Sequence, residues 1–294
     1  MRRRGLLAGA ATALCGAAPA GPTGAEGRFE LLRDWTFGRR PGATVPDMRA
    51  LAADFRFRYF YENGRLDGLH TYWSKHRDYP EGDPRSLHVF TERGLVLKGR
   101  VPPGGGLRPG GIESGMLRAL LPVTTGMVVE MRAKLPRGLG VWPAFWLNPG
   151  VEQDGRFSEA PWPPEIDIFE FFVWQGRTRP RIMTAYTPTN GRPADFGNPE
   201  DTFSLFRRGE YDPGIDFSED FHTFALDWQP DLPTWLLDGK RVKQTRYKWT
   251  APPAHILVTN QLGMTLDGVN LTGMRANEED WDYTVDWLRV WRRV

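Results

Sequence analysis

From Phe29 onward the chain alternates short apolar and polar runs, broken by turn residues at roughly 8–12-residue intervals. Ser86–Lys98 (turning at Glu92-Arg93-Gly94), Gly126–Lys134, Phe221–Trp228, Thr234–Leu237 and Tyr283–Arg292 read as strands. Around Val128, Val129 and Met131 apolar residues fall on both faces, as layered sheets require. A 3.6-residue period predicts one short helix near Pro46–Ala53. Asp238-Gly239, between Trp235-Leu236-Leu237 and Lys240–Thr245, predicts a two-residue hairpin turn. Pro102–Gly111 and Asn148–Pro164 read as long loops, too short to link domains, and no internal repeat stands out. The pattern predicts one all-β domain, a sandwich or a barrel.

One strand-like run departs from this pattern. Glu165-Ile166-Asp167-Ile168-Phe169-Glu170 sets three carboxylates among residues that burial would select as apolar. In a regular strand Glu165 and Asp167 share a face and Glu170 falls on the other. A one-residue bulge near Ile168-Phe169 returns Glu170 to the acidic face, and such bulges often sit beside active sites. The Cα atoms of Glu165 and Glu170 are then about 13–16 Å apart. Side chains leaning together bring the carboxyls toward the roughly 5–5.5 Å of a retaining glycosidase. The competing role, three solvated acids on an edge strand, fits poorly with Ile166, Ile168, Phe169, Phe171 and Phe172. Trp142, Trp146, Trp162 and Trp174 lie nearby in sequence. The C–H faces of sugar rings stack on indole, so paired carboxylates beside tryptophans suit a glycan cleft. Core packing is the competing role for each tryptophan; Trp142 and Trp146 are the favoured sugar contacts.

Composition narrows the function classes. The 33 Gly and 25 Pro favour turns over long helices, and 12 Trp with 8 Tyr exceed ordinary core demand. The net charge is +2, but Arg2, Arg3 and Arg4 are the only charges in residues 1–25, and without those three it becomes −1. Nothing electrostatic points to nucleic acid. The arginines precede an apolar run from Gly5 to Ala18, with Ala18-Pro19-Ala20 as a cleavage site and Thr23-Gly24-Ala25 as a competitor. Residues 1–25 therefore read as an export signal, Sec or twin-arginine, and residues 26–294 as a single secreted or periplasmic domain. The run is too short to span a membrane. Cys15, the one cysteine, lies inside that signal, and the five histidines lack metal-ligand spacing.

Several motifs in order carry a resemblance. Gly138-Leu139-Gly140-Val141-Trp142-Pro143-Ala144-Phe145-Trp146-Leu147 precedes the acidic run. Phe221-His222-Thr223-Phe224-Ala225-Leu226-Asp227-Trp228, Trp235-Leu236-Leu237-Asp238-Gly239-Lys240 and Val285-Asp286-Trp287-Leu288-Arg289-Val290 follow it. Over roughly residues 85–294 the chain resembles glycoside hydrolase family 16, which includes laminarinases, lichenases, agarases and exopolysaccharide depolymerases. The resemblance implies a β-jelly-roll of two curved antiparallel sheets with a concave substrate cleft. It implies Glu165 as nucleophile, Asp167 as its electrostatic assistant and Glu170 as acid/base, with no cofactor needed for catalysis. The E-x-D-x-x-E form is similar to that of laminarinases and agarases. Asp286 matches a position that binds a structural calcium in some members.

Departures from the family pattern bear on the substrate. Ile182-Met183-Thr184-Ala185-Tyr186 lacks the histidine that many members carry, and Tyr186 stands where it is expected. The Gly-Gly-x-Trp loop of laminarinases is missing after Asn260-Gln261-Leu262-Gly263, where Asn260 remains a candidate sugar contact. Arg177, Arg179 and Arg181 could pair with an anionic polysaccharide; a solvated loop is the plainer reading. The expected activity is retaining endo-hydrolysis of a β-glucan or bacterial exopolysaccharide by a monomer. A transglycosylase on the same site and a non-catalytic glycan-binding protein are the alternatives.

Overall fold

The computed structural model describes residues 21–59, 74–149, 151–153, 156–158, 165–171, 183–186, 200–207, 210–246, 253–263 and 280–294. Two antiparallel sheets dominate. The first runs, in spatial order, Glu200–Ser204, Lys240–Arg246, Thr234–Leu237, His222–Trp228, Met127–Lys134, Tyr283–Arg293, Gly94–Leu97 and His88–Thr91, with Phe29–Thr36 also paired to Tyr283–Arg293. The second runs Glu210–Tyr211, Met183–Tyr186, Ile166–Glu170, Val141–Pro149, Ala254–Leu262, Met116–Val123 and Phe55–Arg56. The expected strands appear within a residue or two of their sequence bounds, and the fold is the all-β two-sheet sandwich of the jelly-roll class. The helix is Met48–Asp54, capped where the Asp47 side chain accepts from Ala50 N (2.8 Å).

Alternation decides what faces inward. Phe145 and Leu147 from one strand, Ile166 and Phe169 from its neighbour, and Phe224, Leu226 and Leu288 from the opposite sheet are fully buried in one core between the sheets. Phe169 and Phe224 meet across it with ring centroids 4.4 Å apart. Burial of each such side chain contributes about 1.5–3 kcal/mol. The hairpin at Asp238-Gly239 has positive φ at both positions, 47° and 75°, the backbone of a type I′ turn. Asp238 also holds its surroundings: its carboxylate accepts from Thr223 N and bonds His222 Nδ1, both at 2.8 Å. His222, at the start of its strand, is thus held by Asp238 and packs edge-on against Phe217.

One boundary differs from the sequence reading. The loop expected over Asn148–Pro164 begins later, since the strand continues to Pro149, and it contains a small hairpin of Val151–Gln153 with Arg156–Ser158. Residues ahead of Glu26 are also packed on the domain. Thr23 N donates to Glu130 Oε2 (3.0 Å), and the Gly24 backbone lies against Gly239, where a Cβ would meet the Gly239 carbonyl oxygen at 2.1 Å.

Candidate active site

The acidic strand lies inside the seven-stranded sheet, between Val141–Pro149 and Met183–Tyr186. Against Val141–Pro149 its register runs Leu147 with Ile166, Trp146 with Asp167, then Phe145 with Phe169 and Ala144 with Glu170. Ile168 is the unpaired extra residue. The bulge therefore falls where the spacing of acids demands one. Ile166, Ile168 and Phe169 all join the core, which leaves Glu165, Asp167 and Glu170 on the opposite, outward face.

The bulge is held from behind. Trp235, on the facing sheet, donates its buried Nε1–H to the backbone oxygen of Asp167 (2.9 Å). This satisfies a carbonyl at the irregular part of the ladder. Phe171 N donates to Pro143 O (3.1 Å) just past Glu170. Sequence reading placed Trp235 in a strand motif but gave it no role at the site. Its contact crosses 68 positions of chain, and no local pattern signals it.

Burial sets the electrostatics of the three acids. Desolvation pushes the Glu165 carboxyl up to about 7, while a hydrogen bond from Asp167 acts in the opposite sense. Asp167 is raised well above its usual range by burial first, then by the charges of Glu170 and Glu165 and by its bond to Glu165. Asp167 is therefore the member that keeps its proton, and it donates to the Glu165 carboxylate. Glu170 is pushed up to about 7, mainly by burial, with Glu165 adding to the shift and Trp142 opposing it. Trp142 Nε1 donates to Glu170 Oε1 at 2.9 Å. Both glutamates are thus poised to change protonation near neutral pH. The bond from Asp167 favours the ionised form of Glu165. An ionised Glu165 beside a protonated Glu170 is the pair that attack and protonation at one glycosidic bond require.

The other expected residues divide into three groups. Trp142 touches Glu170 and is partly exposed. Trp146 is only 7% exposed and donates to Thr259 Oγ1 (3.3 Å), packing with Tyr59, Met116, Ala144 and Leu257 on the site face. It braces the face from within rather than offering an open stacking surface. Tyr186 holds the register position opposite Asp167. Asn260 is a correction: it lies among the core-facing positions of its strand, fully buried, and its Nδ2 donates to Leu97 O (2.8 Å) and Trp281 O (2.6 Å). The polar groups that its strand turns to the site are Thr259 and Gln261, and Gln261 is hydrogen-bonded to the Tyr59 hydroxyl. Alternation from Asn260 would have found both. Trp162, Trp174 and Arg177 lie outside the described residues, as do Arg179 and Arg181.

The metal expectation at Asp286 meets a poor donor set. Its two carboxylate oxygens are taken by the guanidinium groups of Arg40 and Arg132, and its backbone oxygen accepts from Phe37 N (2.9 Å). Two cations already neutralise this buried carboxylate, so a calcium ion does not fit here.

Comparison with known proteins places the chain's sequence and fold among glycoside hydrolases. The sequence profile described as "Glycosyl hydrolases family 16" matches residues 118–289, more than half of the chain. A "Glucan endo-1,3-beta-glucosidase" of Cryptopygus antarcticus is 42% identical over 111 residues, covering 38% of this chain and 36% of that protein. "Glucan endo-1,3-beta-glucosidase A1" of Niallia circulans is 30% identical over 181 residues, 56% of this chain and 24% of that protein. The chain thus spans about a quarter to a third of these relatives' lengths. Among solved structures, an endo-beta-1,3-glucanase from Pyrococcus furiosus superposes with a TM-score of 0.65 at 22% identity, covering 94% of this chain and 99% of that one.

Proposed function

Because the chain belongs to glycosyl hydrolases family 16, we propose that it hydrolyses internal β-1,3 bonds of a β-glucan with retention of configuration. The observation that carries this reading is the bulge at Ile168, which gathers Glu165, Asp167 and Glu170 on one face. The names of the relatives support the choice of β-1,3-glucan.

In the first step Glu165 attacks the anomeric carbon and forms a glycosyl ester, while Glu170 gives its proton to the leaving oxygen. Asp167, protonated and bonded to Glu165, limits charge build-up in the buried site. Esterification removes the negative charge of Glu165, which is one cause of the raised Glu170 carboxyl. Glu170, ionised by that transfer, is then more readily kept as a carboxylate, helped by the Trp142 N–H, and takes a proton from the water that attacks the anomeric carbon and displaces Glu165. The protein works in this proposal as an exported monomer on a polysaccharide.

Reducing-end release across β-1,3-, mixed-linkage β-1,3-1,4- and β-1,4-glucans, galactans and acidic exopolysaccharides tests the proposal. Cleavage of β-1,3-glucan to oligosaccharides is expected. Release from another glycan alone would overturn the substrate, and products longer than the substrate would identify transglycosylation. Tight glycan binding without cleavage would identify a binding protein.

A further inference from the structure

Asn148 follows Trp142, Ala144 and Trp146 along the site-facing row of its strand. It has no exposed surface, and neither its Oδ1 nor its Nδ2 has a hydrogen-bond partner. A buried amide unmatched at both ends is uncommon, because each lost partner costs stability. Its neighbours supply a reason. Register pairs Asn148 with His255 on one side. On the other side Trp146 pairs with Asp167 and Leu147 with Ile166, so the next position, opposite Asn148, is Glu165. Residues opposite each other in an antiparallel pair share a face, with Cβ atoms about 4.5–5.5 Å apart.

We propose that Asn148 is a positioning residue for Glu165: its Nδ2 donates to the Glu165 carboxylate in the ionised state and holds that oxygen in line for attack. The inference rests on the reading of Glu165 as nucleophile. An amide suits this task because it donates without carrying charge. It orients the anion without adding charge to the site. Asp167 already donates to Glu165, so Asn148 adds a second donor that opposes the effect of burial. His255 gives its Nδ1–H to Ala119 O (2.9 Å), which fixes the ring on the far side of Asn148. Among the described residues, the other charged or titratable groups on this face are Tyr59, Arg118, Asp167 and Glu170, with Arg56, Tyr186 and Glu210 at register positions beyond them.

The test compares N148L and N148D with wild type and E165Q, reading kcat, KM, the pH profile of kcat/KM on soluble β-1,3-glucan, and thermal melting. For N148L the expectation is kcat lower by about 10–100-fold, KM within about twofold, and an acidic limb displaced upward by about one pH unit. Its melting temperature should equal or exceed that of wild type, since an unmatched amide has gone. N148D keeps the side-chain shape and puts a second carboxyl beside Glu165. It should displace the acidic limb the same way, and it decides the matter if N148L does not fold. Folded variants with wild-type kcat and an unmoved acidic limb, alongside an inactive E165Q, would overturn the role of Asn148 alone. An active E165Q would overturn the nucleophile assignment and this inference with it.

Discussion

One buried and two half-buried carboxyls on one face of a sheet are unfavourable for folding and useful for chemistry, and that opposition can be measured at single residues. Burial raises Glu165 and Glu170 from 4.5 to about 7. Groups whose folded values are raised hold the fold most firmly below about pH 4.5, and that contribution is lost as pH climbs through about 7. Glu165→Gln should therefore raise stability at pH 8 by on the order of 1–3 kcal/mol and have little effect at pH 4. A scan of melting temperature against pH checks it. Both Glu165→Gln and Glu170→Gln should also lower kcat by at least about 10²–10⁴-fold, read by reducing-end release. Trp142→Phe removes the donor to Glu170 Oε1 and should move the alkaline limb of kcat/KM to higher pH. These residues were the most legible part of the sequence, because carboxylates in an apolar run conflict with burial. Asn260 was misread for a related reason. A polar residue in a buried strand signals a partner, and composition does not say whether that partner is a sugar or two backbone carbonyls.

At the scale of elements, the site depends on one irregularity. Without the extra residue at Ile168, Glu170 would face the core. The bulge was legible in the spacing of the acids, since a period of two cannot put positions 165, 167 and 170 on one face. What holds it was not legible: Trp235 reaches the Asp167 carbonyl from the other sheet. Trp235→Phe keeps most of the packing and leaves that oxygen unmatched. The expected result is a loss of about 1–3 kcal/mol in stability with a fall in kcat, measured by denaturant unfolding and initial rates. The loop expected to start at Asn148 shows another limit. Pro149 reads as a breaker, yet the strand runs to it, pairing through Ala254 on the neighbouring strand.

Across the whole molecule, alternation and turn residues predicted an all-β sandwich or barrel, and the family resemblance, carried by strand motifs in the family's order, narrowed it to two sheets. At Asp286 the sequence suggested calcium, and the two arginines that take its place were not predicted. Arg40 comes from a loop near the start of the domain, and Arg132 and Asp286 from neighbouring strands of the larger sheet. Pairing them joins the two ends of the domain by charge. Chelation with EDTA should leave the melting temperature unchanged, and Arg132→Met should lower stability by on the order of 1–3 kcal/mol by leaving a buried carboxylate short of a partner. A large drop on chelation would show a metal elsewhere in the fold.

The account centres on Glu165 and Glu170 acting in succession on one anomeric carbon. Proton NMR of a β-1,3-glucan digest within the first minutes tests this most directly, because it reads the configuration of the new reducing end before mutarotation. Two displacements give the β anomer first, with the α anomer appearing later. An α anomer released first would mean a single displacement and would contradict the assigned roles of both glutamates.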